Sequence, residues 1–441
     1  MSTTITDTEK QRRRAVLASY IGTTLEYYDF LLYGVAAALV FPHIFFVSLD
    51  PLAAMLSSFA TFAVGYFARP LGAIIFGHFG DRIGRKNILV ITLILMGISS
   101  CLIGLIPTYH QIGIWAPIIL VFLRILQGFA MGGEWGGATL MSMEHAKPKG
   151  RGLAVGIALS GGPSGAVLGT LMMTPFSLLP SEEFLSWGWR VPFLISALLM
   201  VVGLFIRAKV TESPEYEKTR ASNLSSQKKR APIVTLMKEN KAKIFSGVLG
   251  GLAPLAFSTF AAAFLMSYAV SVGHSRTDVL IALTIANVIH IFTTPVFSSL
   301  SDRIGRRPMM SIGAITGIVT IWPIFLLVQN GSFITLFAAM LLILPIVQAM
   351  MGATMATWIS EKFPTNIRYS GISITFQLAS TFGAGLSPLA AATILNASGG
   401  TRPEWVACFF AGICFISLMV YVFSKKEEQD WYSKELPAAQ S

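Results

Sequence analysis

Apolar runs of the roughly 17 to 25 residues needed to cross a bilayer recur twelve times between Ala15 and Ser424. They lie near residues 15–41, 52–78, 87–107, 113–143, 152–178, 186–207, 244–271, 277–300, 309–328, 332–359, 369–395 and 404–424. Only 12% of residues are charged and 54% are hydrophobic, against roughly 25% charged in a soluble domain. The chain therefore reads as an all-α polytopic membrane protein whose partner is the lipid bilayer.

A net charge of +11 raises the question of a nucleic-acid partner, and the placement of the basic residues answers it. Nearly all of the 33 Lys and Arg fall before the first span, after the last, or in the loops on that same side; the opposite loops hold Arg190, Arg276 and Arg402, and Arg69 and Arg124 lie within spans. The positive-inside rule then puts both termini in the cytoplasm, so the basicity reports topology and no nucleic acid is expected. Cys101, Cys408 and Cys414 fall within spans and read as small buried side chains. The head "KQRRRAV" has no cleavage site after a short apolar core, so the first span is expected to be retained.

An internal repeat organises the chain. "GHFGDRIGRK" (Gly77 to Lys86) follows span 2 and "SSLSDRIGRR" (Ser298 to Arg307) follows span 8; "EHAKPKGRG" after span 4 and "EKFPTNIRYSG" after span 10 keep Glu144 and Arg151 in step with Glu361 and Arg368. Two parallel six-helix halves follow. The expected division is a cytoplasmic tail over 1–14, a first bundle over 15–208, a cytoplasmic linker over 209–243, a second bundle over 244–424 and a cytoplasmic tail over 425–441.

Charges within spans are the candidate machinery, because ionisable residues inside a membrane are costly, on the order of 2.5 to 3.5 kcal/mol on insertion scales, and by default functional. "GTTLEYYDFLLYG" (Gly22 to Gly34) carries Glu26 and Asp29, one turn apart on one helix face. Two close carboxylates in low dielectric do not both stay ionised, so one is suited to load and release a proton. Glu134, in "GGEWGG" of span 4, is a second acid of this kind. Span 7, the counterpart of span 1, has no acid between Phe245 and Val270, which confines proton handling to the first half. Arg69 lies as far before Asp81 as His290 lies before Asp302; such a pair at the midplane between two repeats would hold a carboxylate from both sides. Alternative readings stand beside these: a structural ion pair for Glu26, Asp29 and Arg124, a proline-linked kink for Arg69, and a neutral interhelical hydrogen bond for His290. Tyr27, Tyr28, Trp135, Trp322 and Trp358 are candidates to line a cavity, against ordinary packing.

The six-plus-six layout with D-R-x-G-R-[KR] after spans 2 and 8 resembles the major facilitator superfamily. "EYYDFLLYG", "FARPLGAIIFGHFGDRIGRK", "RILQGFAMGGEWGGA" and "FLSWGWRVPF" are similar to the metabolite:proton symporter family, which includes permeases for shikimate, α-ketoglutarate, citrate and proline/betaine; the wording is nearest the shikimate-type branch. The resemblance implies twelve helices in two pseudo-symmetric bundles, in a bacterial inner membrane, functional as a monomer. It also implies proton-coupled import of a small organic acid by alternating access, with no cofactor besides the proton and no metal. Arg124 would by that resemblance pair with Asp29 or Glu26 once the site is deprotonated. Substrate contacts would then come from Arg69, Arg124, His290, Tyr28 and Trp135.

Asp81, Arg82, Arg85, Asp302, Arg303 and Arg306 sit at the cytoplasmic ends of their spans, too shallow for substrate. An aspartate there is placed to meet the amide-rich start of a neighbouring helix, and such contacts would bias an alternating-access equilibrium. "GIALSGGPSGAVLG" (Gly156 to Gly169) resembles the G-P-x-x-G signature of drug/proton antiporters, which keeps antiport, together with zwitterion symport, as an alternative. No phosphate loop and no H-E-x-x-H site occur, so neither an ATP-driven pump nor an enzyme is expected.

Overall fold

The computed structural model describes residues 2–83, 85–132, 151–208, 240–363, 367–400 and 402–424; within these, the side chains of 2–16, 18–19, 77–83, 85–87, 89, 151, 206–208 and 369 are not described. All regular structure among the described residues is helical. The long helices are α1 (Ser2–Leu39), α2 (Pro51–Ile83), α3 (Arg85–Leu105), α4 (Trp115–Gly132), α5 (Gly152–Ser177) and α6 (Arg190–Ala208) in the first half. The second half holds α7 (Lys241–Ser271), α8 (Arg276–Ile304), α9 (Arg306–Gln329), α10 (Phe333–Ser360), α11 (Ser370–Ala397) and α12 (Glu404–Phe423). Among the described residues, ten helices meet the length and hydropathy of a membrane span, and Val90–Leu105 within α3 is a shorter apolar helix. Helix α1 is continuous from Ser2, so the tail expected over 1–14 and the first span form one helix. Most of the linker expected over 209–243 and the tail expected over 425–441 lie outside the described residues.

Local chemistry sets the ends. Asp50 Oδ1 accepts from the amides of Leu52 and Ala53, each at 3.1 Å, and starts α2. Ser275 accepts from the Asp278 amide at 3.0 Å and starts α8, satisfying amides that have no partner inside the helix. Gly305, at φ +97°, turns the chain from α8 into α9, a left-handed conformation that glycine adopts without a Cβ clash.

Close helix approach positions the interior. A Cβ on Gly128 of α4 would land on the Gly65 carbonyl of α2, and one on Gly132 on the Arg69 carbonyl, so α2 and α4 meet backbone to backbone as small-residue stripes allow. The "GIALSGGPSGAVLG" run serves two neighbours: Gly161 and Gly165 press on the Tyr20 and Thr24 carbonyls of α1, while Gly156 presses on Pro295 and Ser298 of α8.

The halves touch at both ends. At the end carrying the basic loops, Ser298 donates to the Gly152 carbonyl at 2.7 Å. Toward the far end, Thr284 of α8 donates to Thr170 of α5 at 2.6 Å, Ser177 and Thr277 share a hydrogen bond of 2.9 Å, and Arg276 donates to Ser181 at 3.1 Å. A second seam joins α2 to α11, where Thr381 donates to the Tyr66 carbonyl at 2.9 Å.

Candidate functional site

Between these seams lies a cavity of about 120 Å³, walled by α1, α2, α4 and α5 of the first half and α7, α8, α10 and α11 of the second. Glu26, Arg69 and His290 all line it. Arg69 and His290 occupy equivalent places in the repeat and face the same space from opposite halves.

Arg69 is buried; it donates from Nη1 to Ser380 of α11 at 3.1 Å and from Nη2 to the Met131 sulfur at 3.3 Å. Its Nε has no hydrogen-bond partner among the described residues. The guanidinium lies 4.3 Å from the Phe30 ring centre and 4.0 Å from that of Tyr66, faces that hold a desolvated cation in place. Glu26 and Tyr27 are its electrostatic neighbours. Across the cavity, His290 Nδ1, Gln348 Oε1 and Gln377 Oε1 also have no hydrogen-bond partner among the described residues. Buried polar groups are nearly always paired; His290 and Gln348 lie within reach of each other, whereas Arg69 Nε and Gln377 Oε1 stand where a polar ligand would complete them.

The second-half wall is shaped by wide helical turns. Phe260–Leu265 in α7, Leu342–Gln348 in α10 and Ser380–Gly385 in α11 are π-helical, and each contributes cavity residues, namely Ala262, Gln348 and Ser380. The inserted residue re-aims a side chain out of the regular ladder, a device common at functional sites.

Asp29 and Arg124 form a separate buried group that is not part of the cavity wall. The Asp29 carboxylate accepts from Ser196 of α6 and interacts with the Ser100 hydroxyl of α3. Ser100 accepts from Gln127 Nε2 at 2.7 Å, and Gln127 Oε1 accepts from Arg124 Nη1. A polar chain thus runs Asp29, Ser100, Gln127, Arg124 across α1, α3 and α4. Nε and Nη2 of Arg124 have no hydrogen-bond partner among the described residues; the guanidinium instead sits 4.0 Å from the Tyr33 ring centre, 4.8 Å from Phe30 and 5.1 Å from Phe62. Gly65 makes this possible, since a Cβ there would meet Arg124 Nε at 2.5 Å.

Glu26 and Asp29, one turn apart, are thereby divided between the cavity and the interior of the first bundle. Tyr27 lines the cavity and Tyr28 does not: its hydroxyl donates to the Pro192 carbonyl at 2.7 Å, inside the first half. Trp358 packs edge-on against Tyr421, and Trp322 is exposed. Glu134 and Trp135 lie outside the described residues, as do the side chains of Asp81, Arg82 and Arg85. Of the second-half loop residues, Asp302 accepts from the Gly152 amide at 3.2 Å, at the start of α5, and pairs with Arg306 at 2.5 Å; Arg306 also reaches Glu361 at 3.4 Å, and Arg303 is exposed. Gln127, Ser100, Ser196, Gln348, Gln377 and Ser380 are absent from the sequence-derived set. Only Gln127 had a local signal, since it stands one turn beyond Arg124 on the same helix face.

The family model described as sugar (and other) transporter matches residues 15–429. The chain belongs to this transporter family. It shares its fold with the solved D-xylose–proton symporter, which superposes with a TM-score of 0.72 at 18% identity, covering 94% of this chain and 97% of that one. Among curated relatives, the inner membrane metabolite transport protein YhjE of Escherichia coli K12 is 38% identical, covering 93% of this chain and 94% of that protein. The shikimate transporter of the same organism is 37% identical, covering 95% of each, and its proline/betaine transporter is 35% identical, covering 88% of this chain and 78% of that one. This member of the sugar (and other) transporter family is therefore a multi-pass integral membrane transporter and not an enzyme.

Proposed function

We propose that the chain imports a small carboxylate-bearing metabolite together with protons, across a bacterial inner membrane, with both termini in the cytoplasm. The observation that carries the reading is Arg69: a buried guanidinium whose Nε has no hydrogen-bond partner among the described residues, on the wall of a cavity shared by both halves. A fixed fork of donors in low dielectric binds a carboxylate strongly and with defined geometry. Opposite it, His290, Gln348 and Gln377 offer neutral polar atoms for the rest of a polar metabolite.

Asp29 is the proton carrier in this reading, with Arg124 as the cation that stabilises its ionised form through Gln127 and Ser100. Glu26, on the cavity wall, is a second acid that the substrate itself would meet. Asp302, bonded across the halves to the start of α5, holds the cytoplasmic end closed, and its release accompanies opening. Relatives named for metabolite and shikimate transport support the substrate class; the clustering of Lys and Arg on one side supports the orientation. A zwitterion carrier is the second reading, favoured by the Tyr27 and Phe376 rings on the wall and by the proline/betaine relative.

The test is uptake into proteoliposomes with an acid-outside gradient, using labelled shikimate, proline and glycine betaine in mutual competition. Accumulation of shikimate that a protonophore collapses is the expected result. Accumulation indifferent to the protonophore would overturn proton coupling, and competition by betaine alone would replace the carboxylate reading with the zwitterion one.

A further inference from the structure

Phe30 follows Asp29 on α1, lines the cavity, and has both buried guanidiniums against its ring: Arg69 at 4.3 Å and Arg124 at 4.8 Å from the centroid. The surrounding rings repeat the arrangement. Tyr66 packs edge-on against Phe30 at 4.9 Å and holds Arg69, while Phe62 packs against Phe30 at 5.2 Å and holds Arg124. Two like charges thus share one aromatic cluster and lie close enough to act on each other. Among the described residues, Arg124 is the guanidinium that joins the polar chain to Asp29, and Arg69 is the one that lines the cavity.

A ring's attraction for a cation comes from the negative face of its quadrupole, and two cations drawing on one ring compete for it. We propose that Phe30 is the positioning residue that couples Asp29 to Arg69: when Asp29 is protonated, Arg124 stays on the ring and leaves Arg69 available to a substrate anion. When Asp29 loses its proton, Arg124 is drawn toward the carboxylate, the ring takes a firmer hold on Arg69, and the anion is released. By linkage the substrate has the reciprocal effect on proton binding. The inference rests on the roles given above to Asp29 and Arg69, and it adds the element that joins them.

The groups facing each partner define the controls. Asp29 faces Arg124 and the Ser100 and Ser196 hydroxyls; Arg124 faces Tyr33, Tyr66, Arg69 and Asp29; Arg69 faces Tyr66, Tyr27 and Glu26. Among the described residues Glu26 is the one acid that acts electrostatically on Arg69, so the experiment is run in Glu26→Gln.

The full chain is purified in detergent with isotope-labelled arginine, and the side-chain Nε–H signals of Arg69 and Arg124, assigned with Arg69→Lys and Arg124→Lys, are followed without substrate from about pH 5 to 8. Both signals are expected to move with one midpoint in Glu26→Gln and to stand still once Asp29→Asn is added. Adding Phe30→Leu instead should leave the Arg124 movement and abolish that of Arg69, with Phe30→Tyr restoring it; Phe30→Met serves if the leucine variant does not fold. An Arg69 signal that keeps its movement without the ring, or that stays still while Arg124 moves in Glu26→Gln, overturns the coupling role of Phe30 and leaves the proton site standing. If neither signal moves, Asp29 is not the titrating group, and the proton-site reading falls together with this one.

Discussion

The two halves descend from one template in sequence, yet they meet the cavity with different chemistry. The first half brings the charges: Glu26 and Arg69 on the wall, Asp29 and Arg124 behind it, all on α-helical turns of α1, α2 and α4. The second half brings neutral polar groups, His290, Gln348, Gln377 and Ser380, two of them on π-helical turns of α10 and α11. The difference teaches a division of labour. A charge can be kept in a low-dielectric interior only with fixed partners, and the close α2–α4 glycine contacts supply that rigidity. Neutral donors and acceptors carry no such penalty, so their wall can be irregular and shaped to a ligand.

That contrast can be broken experimentally, and the largest effect is expected on the charged side. Asp29→Asn should abolish accumulation against a gradient while sparing counterflow exchange in proteoliposomes; full accumulation by this variant would remove Asp29 from proton handling. Arg69→Ala leaves a bound carboxylate unpaired, a loss of about 3 kcal/mol or more, so KM for a carboxylate substrate should rise by about 100-fold. An unchanged KM would move the anchor elsewhere.

A middle-sized effect is expected at the seam between the halves. Asp302→Asn weakens a charge-assisted bond to the Gly152 amide and the pair with Arg306, each such bond being worth about 1.5 to 3 kcal/mol. A cysteine placed at Thr294, in a chain whose Cys101, Cys408 and Cys414 are serine, should then be labelled from the basic-loop end about tenfold faster. A labelling rate equal to the parent would deny Asp302 a part in closure. The smallest effect is expected from the neutral wall: His290→Gln should raise KM about three- to tenfold with kcat unchanged, the scale of one neutral hydrogen bond. A loss as large as that of Arg69→Ala would erase the contrast between the halves.

Much of this site was legible as composition against an apolar background. Glu26, Asp29, Arg69 and Arg124 stand out because a spanning helix excludes such residues unless something holds them, and the repeat alone linked Arg69 to His290. Tyr27 and Tyr28 were not separable, because neighbours on a helix point about 100° apart and the sequence does not say which direction faces the partner half. Gln127, Ser100 and Ser196 were invisible for a related reason: single hydroxyls and amides are common in membrane helices, and their meaning here comes from meeting across three helices. The glycine run of α5 read as an antiporter signature; in the structure its glycines are contact points for α1 and α8.

The sequence by itself determined the twelve-span plan, the two-fold repeat, the basic side of the membrane and the identity of the buried charges, because hydropathy and charge cost are properties of each residue in lipid. Only the tertiary structure decided that Asp29 and Glu26 part company, that Arg124 lies on aromatic rings behind the cavity, and that the second half lines it with neutral groups on widened turns. Those outcomes depend on which helix faces meet and how closely, and that is fixed by packing between segments far apart in the chain.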